Sequence, residues 1–138
     1  MPSSSESGFF VEPGLDPSGK GLCDFRISQT KLRHLSKYGP AYKFFEGLSI
    51  PYTLKNPTVI FRGLEREHQE GAFCYAGIPP HRYLDHNITA PPHPGFTFVI
   101  FADSEFRIFN WRWEKEDPKT PGYPIGWQNR FKEQKWSR

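Results

Sequence analysis

The chain has 138 residues, a net charge of +3 and 17% aromatic side chains, enough length and apolar bulk for one domain whose core needs neither metal nor disulfide. So small a charge does not by itself announce a nucleic-acid binder, and no apolar run approaches the length of a membrane span. The opening MPSSSESGFF lacks the pattern of a secretory signal, and two thiols, Cys23 and Cys74, suit a reducing compartment, so the expected location is the cytoplasm.

Residues 1–20, rich in Ser, Pro and Gly, read as a mobile arm, and 21–138 as a single globular domain. Ser28 can cap a helix carrying Leu32, Leu35 and Tyr38 on one side, with Gly39 as its stop. Pro40 opens a second short helix through Phe44, Phe45 and Leu48. Strands follow at Thr58–Arg62 and Gly71–Ala76. The connection from Gly77 to Gly95, broken by prolines and holding His81, His86 and His93, suits an active-site flap.

The run FTFVIFADSEFRIFNWRW, Phe96 to Trp113, reads as a β-hairpin apolar on both faces. A two-residue loop at Asp103-Ser104 would pair Phe101 with Phe106 and Phe98 with Phe109. Asn110 and Arg112 leave the apolar stripe, placing the end of the last strand in a charged cleft. A sheet with two apolar faces needs two covers. The C-terminal tail from Pro118 reads as irregular, with a last helix from Gln128, and Trp127 and Phe131 are candidates to close one face. The expected fold is therefore α+β: two N-terminal helices, then a four-stranded, mostly antiparallel sheet.

The run LKNPTVIFRG at Leu54 to Gly63 resembles the entry to the sheet in the BECR nuclease superfamily, the group of barnase, EndoU, colicin and RelE-like nucleases, and especially its phage-associated branches. The resemblance covers roughly residues 28–113, including the preceding helices and the terminal hairpin. Those branches often end the last strand with Ser or Thr beside small residues, where this chain has Asn110, Trp111, Arg112 and Trp113.

What the resemblance implies is a toxin-like or prophage-derived endoribonuclease that cleaves RNA, tRNA among the candidates, without metal or cofactor, by attack of the 2′-hydroxyl on the adjacent phosphate. An inhibitory immunity or antitoxin protein would be its natural partner. His34 and His81 would then transfer protons, because imidazole holds both protonation states near neutrality. Arg62 and Arg112 would grip the phosphate with planar forks. Lys31 and Lys37 flank His34, Asn110 would line the cleft, and Tyr75 would stack a base or donate a proton. Each has a structural alternative: Tyr75 alternates with Phe73 toward a core, and Arg112 can brace its neighbouring tryptophans.

Two further functions fit the residues. Trp111, Trp113, Trp127 and Trp136, with basic residues at Arg130, Lys132, Lys135 and Arg138, suit a non-enzymatic module for protein or nucleic acid. The tetrapeptide IFRG at Ile60–Gly63 is similar to the first-strand arginine motif of NAD-dependent ADP-ribosyltransferases, with Glu105 or Glu114 as the required glutamate. His81, His86, His93 and Asp85 match no zinc spacing, so no metal is expected.

Overall fold

The computed structural model describes residues 9–28, 49–64, 71–79 and 95–138. Its described part is dominated by strands: β1 (Phe9–Leu15), β2 (Leu22–Ser28), β3 (Val59–Leu64), β4 (Phe73–Gly77), β5 (Phe96–Ala102), β6 (Arg107–Asp117), β7 (Thr120–Pro124) and β8 (Phe131–Ser137). Two short helical segments accompany them, α1 at residues 49–55 and α2 (Trp127–Arg130). None of the helices in the described residues is long and apolar enough to cross a membrane.

The strands join in the order β1-β2-β6-β5-β4-β3-β8, with β7 turning back onto β6. Every pairing is antiparallel except β2 with β6, which is parallel and spans only Arg26–Ile27 against Arg107–Ile108. The expected α+β architecture, and with it the fold implied by the BECR resemblance, is thus corrected to a mostly β one. β3 to β6 fall on the four predicted strands; the difference lies around them. The two predicted helices, residues 28–48, lie outside the described residues, except that Ser28 ends β2 and pairs with Phe9.

Two of the missed strands, β1 and β7, share a physical cause. β1 contains Pro13, and β7 contains Pro121 and Pro124, residues that lower strand propensity. Proline is nevertheless tolerated where one side of the strand makes no ladder hydrogen bonds, and β1 is a sheet edge while β7 lies off the main path. In β2, LCDFRIS, the alternation is clean: Phe25 and Ile27 are buried, while Leu22 and Asp24 are exposed. The predicted irregular tail is corrected likewise: it is a strand, a single helical turn and a second strand.

The β5–β6 hairpin is shifted from the two-residue-loop register. Asp103 through Phe106 form a longer turn, in which Phe106 N–H donates to the Asp103 carbonyl and Phe106 takes a left-handed φ of 64°. The Asp103 carboxylate accepts the backbone N–H groups of Glu105 and Arg107, an Asx-type arrangement that favours this turn over the shorter one. Phe98 therefore faces Trp113, Ile100 faces Trp111, and Phe101 faces Asn110 instead of Phe106.

The sheet is buried on both sides. On the first face, Phe25, Ile27, Ile60, Phe73, Tyr75, Phe98, Ile100 and Ile108 pack beneath Ile50 and Leu54 of α1. The β1–β2 hairpin folds across this face, so that Leu15 reaches Tyr75 on β4 and the turn at Gly19 reaches Trp136 on β8. On the second face, Val59, Phe61, Cys74, Val99, Phe101 and Phe131 pack with Tyr123 of β7 and Trp127 of α2. Phe61 stacks on Phe131 with centroids 4.3 Å apart and on Trp127 at 5.5 Å. The tail thus closes the second face, each large side chain contributing about 1.5–3 kcal/mol by leaving water.

Candidate functional site

Successive side chains of a strand alternate between faces, and this rule decides which polar residues of β6 can act together. Arg112 lies opposite Val99, and Glu114 opposite Thr97, both on the second face. Arg112 Nε donates to Glu114 Oε2 at 2.8 Å. From the end of α2, Arg130 closes a fork on the same carboxylate, its Nη1 to Oε1 at 2.5 Å and its Nη2 to Oε2 at 3.2 Å.

Each guanidinium also lies over a phenyl ring: Arg112 at 4.6 Å from the Phe101 centroid, Arg130 at 5.0 Å from that of Phe131. The rings hold the planar groups in place by cation–π attraction, and the carboxylate sets their mutual orientation. Glu114 is largely buried, with 13% of its side chain exposed, whereas Arg112 and Arg130 keep 38% and 27%. The arginines are thus more accessible to a solute than the carboxylate. Arg112 and Arg130 share one carboxylate, so these three side chains sum to one positive charge, and guanidinium N–H groups are donors that phosphates and other oxyanions accept from.

The other predicted residues do not assemble around this point. Arg62 lies exposed on the first face, 5.5 Å from the Phe73 centroid, so the sheet separates it from Arg112 and from Glu114. The arginine pair expected to grip one phosphate, Arg62 with Arg112, is not brought together; nor is the pairing of Arg62 with Glu114 that a transferase would need. Glu105 belongs to the turn, where it binds Arg107.

Tyr75 is buried in the first-face core, its hydroxyl donating to the Leu15 carbonyl at 2.5 Å. Burial above all, with the neighbouring Cys23 and Asp16, pushes its ionisation well above the ordinary tyrosine range, which suits a structural tie. Asn110 is half-buried on β6, opposite Phe101 and on the face that carries Arg112. His34, His81, Lys31 and Lys37 lie outside the described residues, as do His86 and His93.

Neither cysteine forms a disulfide; Cys74 is buried, and burial with the Asp16 and Asp24 carboxylates lifts Cys23 to about 11. Among the described residues, no three His, Cys, Asp or Glu side chains converge as a metal site would require.

Glu114 as a hub and Arg130 as its second cation were not visible as a site in sequence. Arg112 and Glu114 show the strand period of two, a signal that could have paired them. Arg130 joins only because β7 and α2 carry the tail back across the second face. Compared with protein-family models, with curated proteins and with solved structures, the chain matches none.

Proposed function

We propose that the chain is an RNA-binding module whose second face receives a backbone phosphate on Arg112 and Arg130. The observation that carries the reading is the shared carboxylate: two guanidiniums, each over a ring, are fixed on one carboxylate and both side chains stay partly exposed. The adjoining tail adds steering charge, since residues 127–138 carry Arg130, Lys132, Lys135 and Arg138 against one acid, Glu133. Two cysteines outside any disulfide fit a reducing, cytoplasmic setting, where RNA is at hand.

Binding is preferred to cleavage because Tyr75, the described residue offered as a proton donor, is buried and tied to the Leu15 carbonyl. The test is fluorescence anisotropy of a labelled RNA oligonucleotide in EDTA over a salt series, with wild type, Arg112→Gln and Arg130→Gln, each checked for folding by its melting temperature. Each substitution should weaken binding and lower the slope of log K against log salt by roughly 0.7, the value of one released counterion on a single strand. Unchanged affinity and slope in both variants would remove the site from consideration. RNA recovered as 2′,3′-cyclic fragments would restore the endoribonuclease reading, and intact RNA would leave the binding module.

A further inference from the structure

The β5–β6 ladder contains a bulge beside the arginine pair. Ala102 faces Ile108 and Phe101 faces Asn110, so Phe109 is an extra residue with no partner on β5. The insertion resets the alternation after Phe109: Ile108 belongs to the first-face core, Phe109 packs against the second, and Asn110, opposite Phe101, stays on the second. There it is half-buried, its ring 6.3 Å from that of the fully buried Phe101 and tilted by 34°. Arg112 lies over that same Phe101 ring. The second face therefore presents, in a row along β6, a partly open aromatic ring, the Asn110 amide and a guanidinium.

We infer that Phe109 is a stacking platform for one unpaired base, making the site selective for single-stranded RNA over duplex. This rests on the phosphate reading of Arg112 and Arg130, which supplies the charge complementarity. Both faces of a base inside a duplex are already covered by neighbouring pairs, so only an unstacked base can lie on an aromatic side chain. A phosphate held at Arg112 leaves its nucleotide's base beside the strand that carries Phe109. The bulge accounts for the arrangement: without the extra residue, strict alternation would place residue 109 on the face opposite Ile108 but also move Arg112 to the first face. One inserted residue lets both point to the same side.

The test compares a labelled ten-nucleotide single-stranded RNA with a duplex of the same length, using wild type, Phe109→Leu, Phe109→Tyr and Arg112→Gln. Leucine keeps apolar bulk for packing and removes the π-face; melting temperatures confirm that it folds. Wild type should prefer the single strand. Phe109→Leu should lose roughly tenfold on the single strand, in line with the loss of one stacked base, so that the preference over duplex collapses. Phe109→Tyr should recover it, and Arg112→Gln should weaken both ligands. Binding that depends on Arg112 but is indifferent to Phe109→Leu, or that favours duplex, would overturn the platform and leave the phosphate site standing. RNA binding insensitive to Arg112 would overturn both.

Discussion

Gly19, in the turn between β1 and β2, lies flat against the indole of Trp136 on the far edge strand: a Cβ on Gly19 would come 2.2 Å from Cδ1 and Nε1 of that ring. This contact closes the β1–β2 hairpin over the first face and lets the two ends of the sheet touch. Gly19 also has a φ of +77°, which a side chain disfavours. Gly19→Ala should therefore destabilise the protein by about 2 kcal/mol or more, combining left-handed strain with a steric clash. Urea unfolding measures it. In a Trp136→Ala background only the strain remains, so the same substitution should cost about 1–2 kcal/mol; equal costs in the two backgrounds would deny the contact.

Alkaline pH probes the same closure. Tyr75 and Cys23 both have ionisations raised by burial, so the native state holds protons that the unfolded chain releases. Stability then falls as pH rises, because the unfolded state binds fewer protons. The decline attributable to Cys23 begins near the ordinary thiol range and ends near 11, while that of Tyr75 begins at about pH 10, the unfolded tyrosine value. Cys23→Ser should flatten the earlier part of the stability curve. Tyr75→Phe should flatten the later part, at a neutral-pH loss of about 1 kcal/mol for the bond to the Leu15 carbonyl. Unchanged curves would mean that neither group is shifted.

The central strands were legible because Val59–Phe61, Phe73–Tyr75 and Phe96–Phe101 are apolar on both faces, a pattern that only a covered sheet satisfies. Strands β1, β7 and β8 were not, since their prolines and charges are permitted by an edge or off-path position, which is a property of the assembled sheet. The hairpin register escaped because it depends on Asp103 capping two backbone N–H groups and on Phe106 accepting positive φ. Phe106 tolerates that conformation because its ring stacks at 5.6 Å on Phe73 and meets Phe25 at 5.3 Å. Of the candidate site, Arg112 and Asn110 were identified on β6, but their partner Arg130 is brought in by tertiary contact. The expected association of Arg62 with Arg112 failed on face parity, which becomes readable only once the register is known.

Thr97 is the polar pin of the second face. Its buried hydroxyl lies 2.8 Å from the Gly122 carbonyl and 3.1 Å from that of Gly77, linking β5 to β7 and β4. Thr97→Val keeps the shape and removes the donor, and should cost about 1–3 kcal/mol through the unsatisfied carbonyl. Thr97→Ser retains the donor and should cost less. Thermal melts of the two variants decide it: a valine protein as stable as the serine one would show that packing, and not the hydrogen bond, holds β7 in place.

Glu114 holds two guanidiniums together and also lowers the charge they offer an anion, so its removal should move stability and binding in opposite directions. Glu114→Gln removes the carboxylate that Arg112 and Arg130 share and should destabilise the fold by about 1 kcal/mol, a modest figure because both arginines are partly exposed. The same change removes one negative charge beside the proposed phosphate position and should tighten RNA binding severalfold at low salt, with a steeper salt dependence. A purely structural ion pair would give the first effect without the second. Melting curves and anisotropy on one preparation separate them: destabilisation with unaltered affinity would confine the trio to fastening the tail against β6.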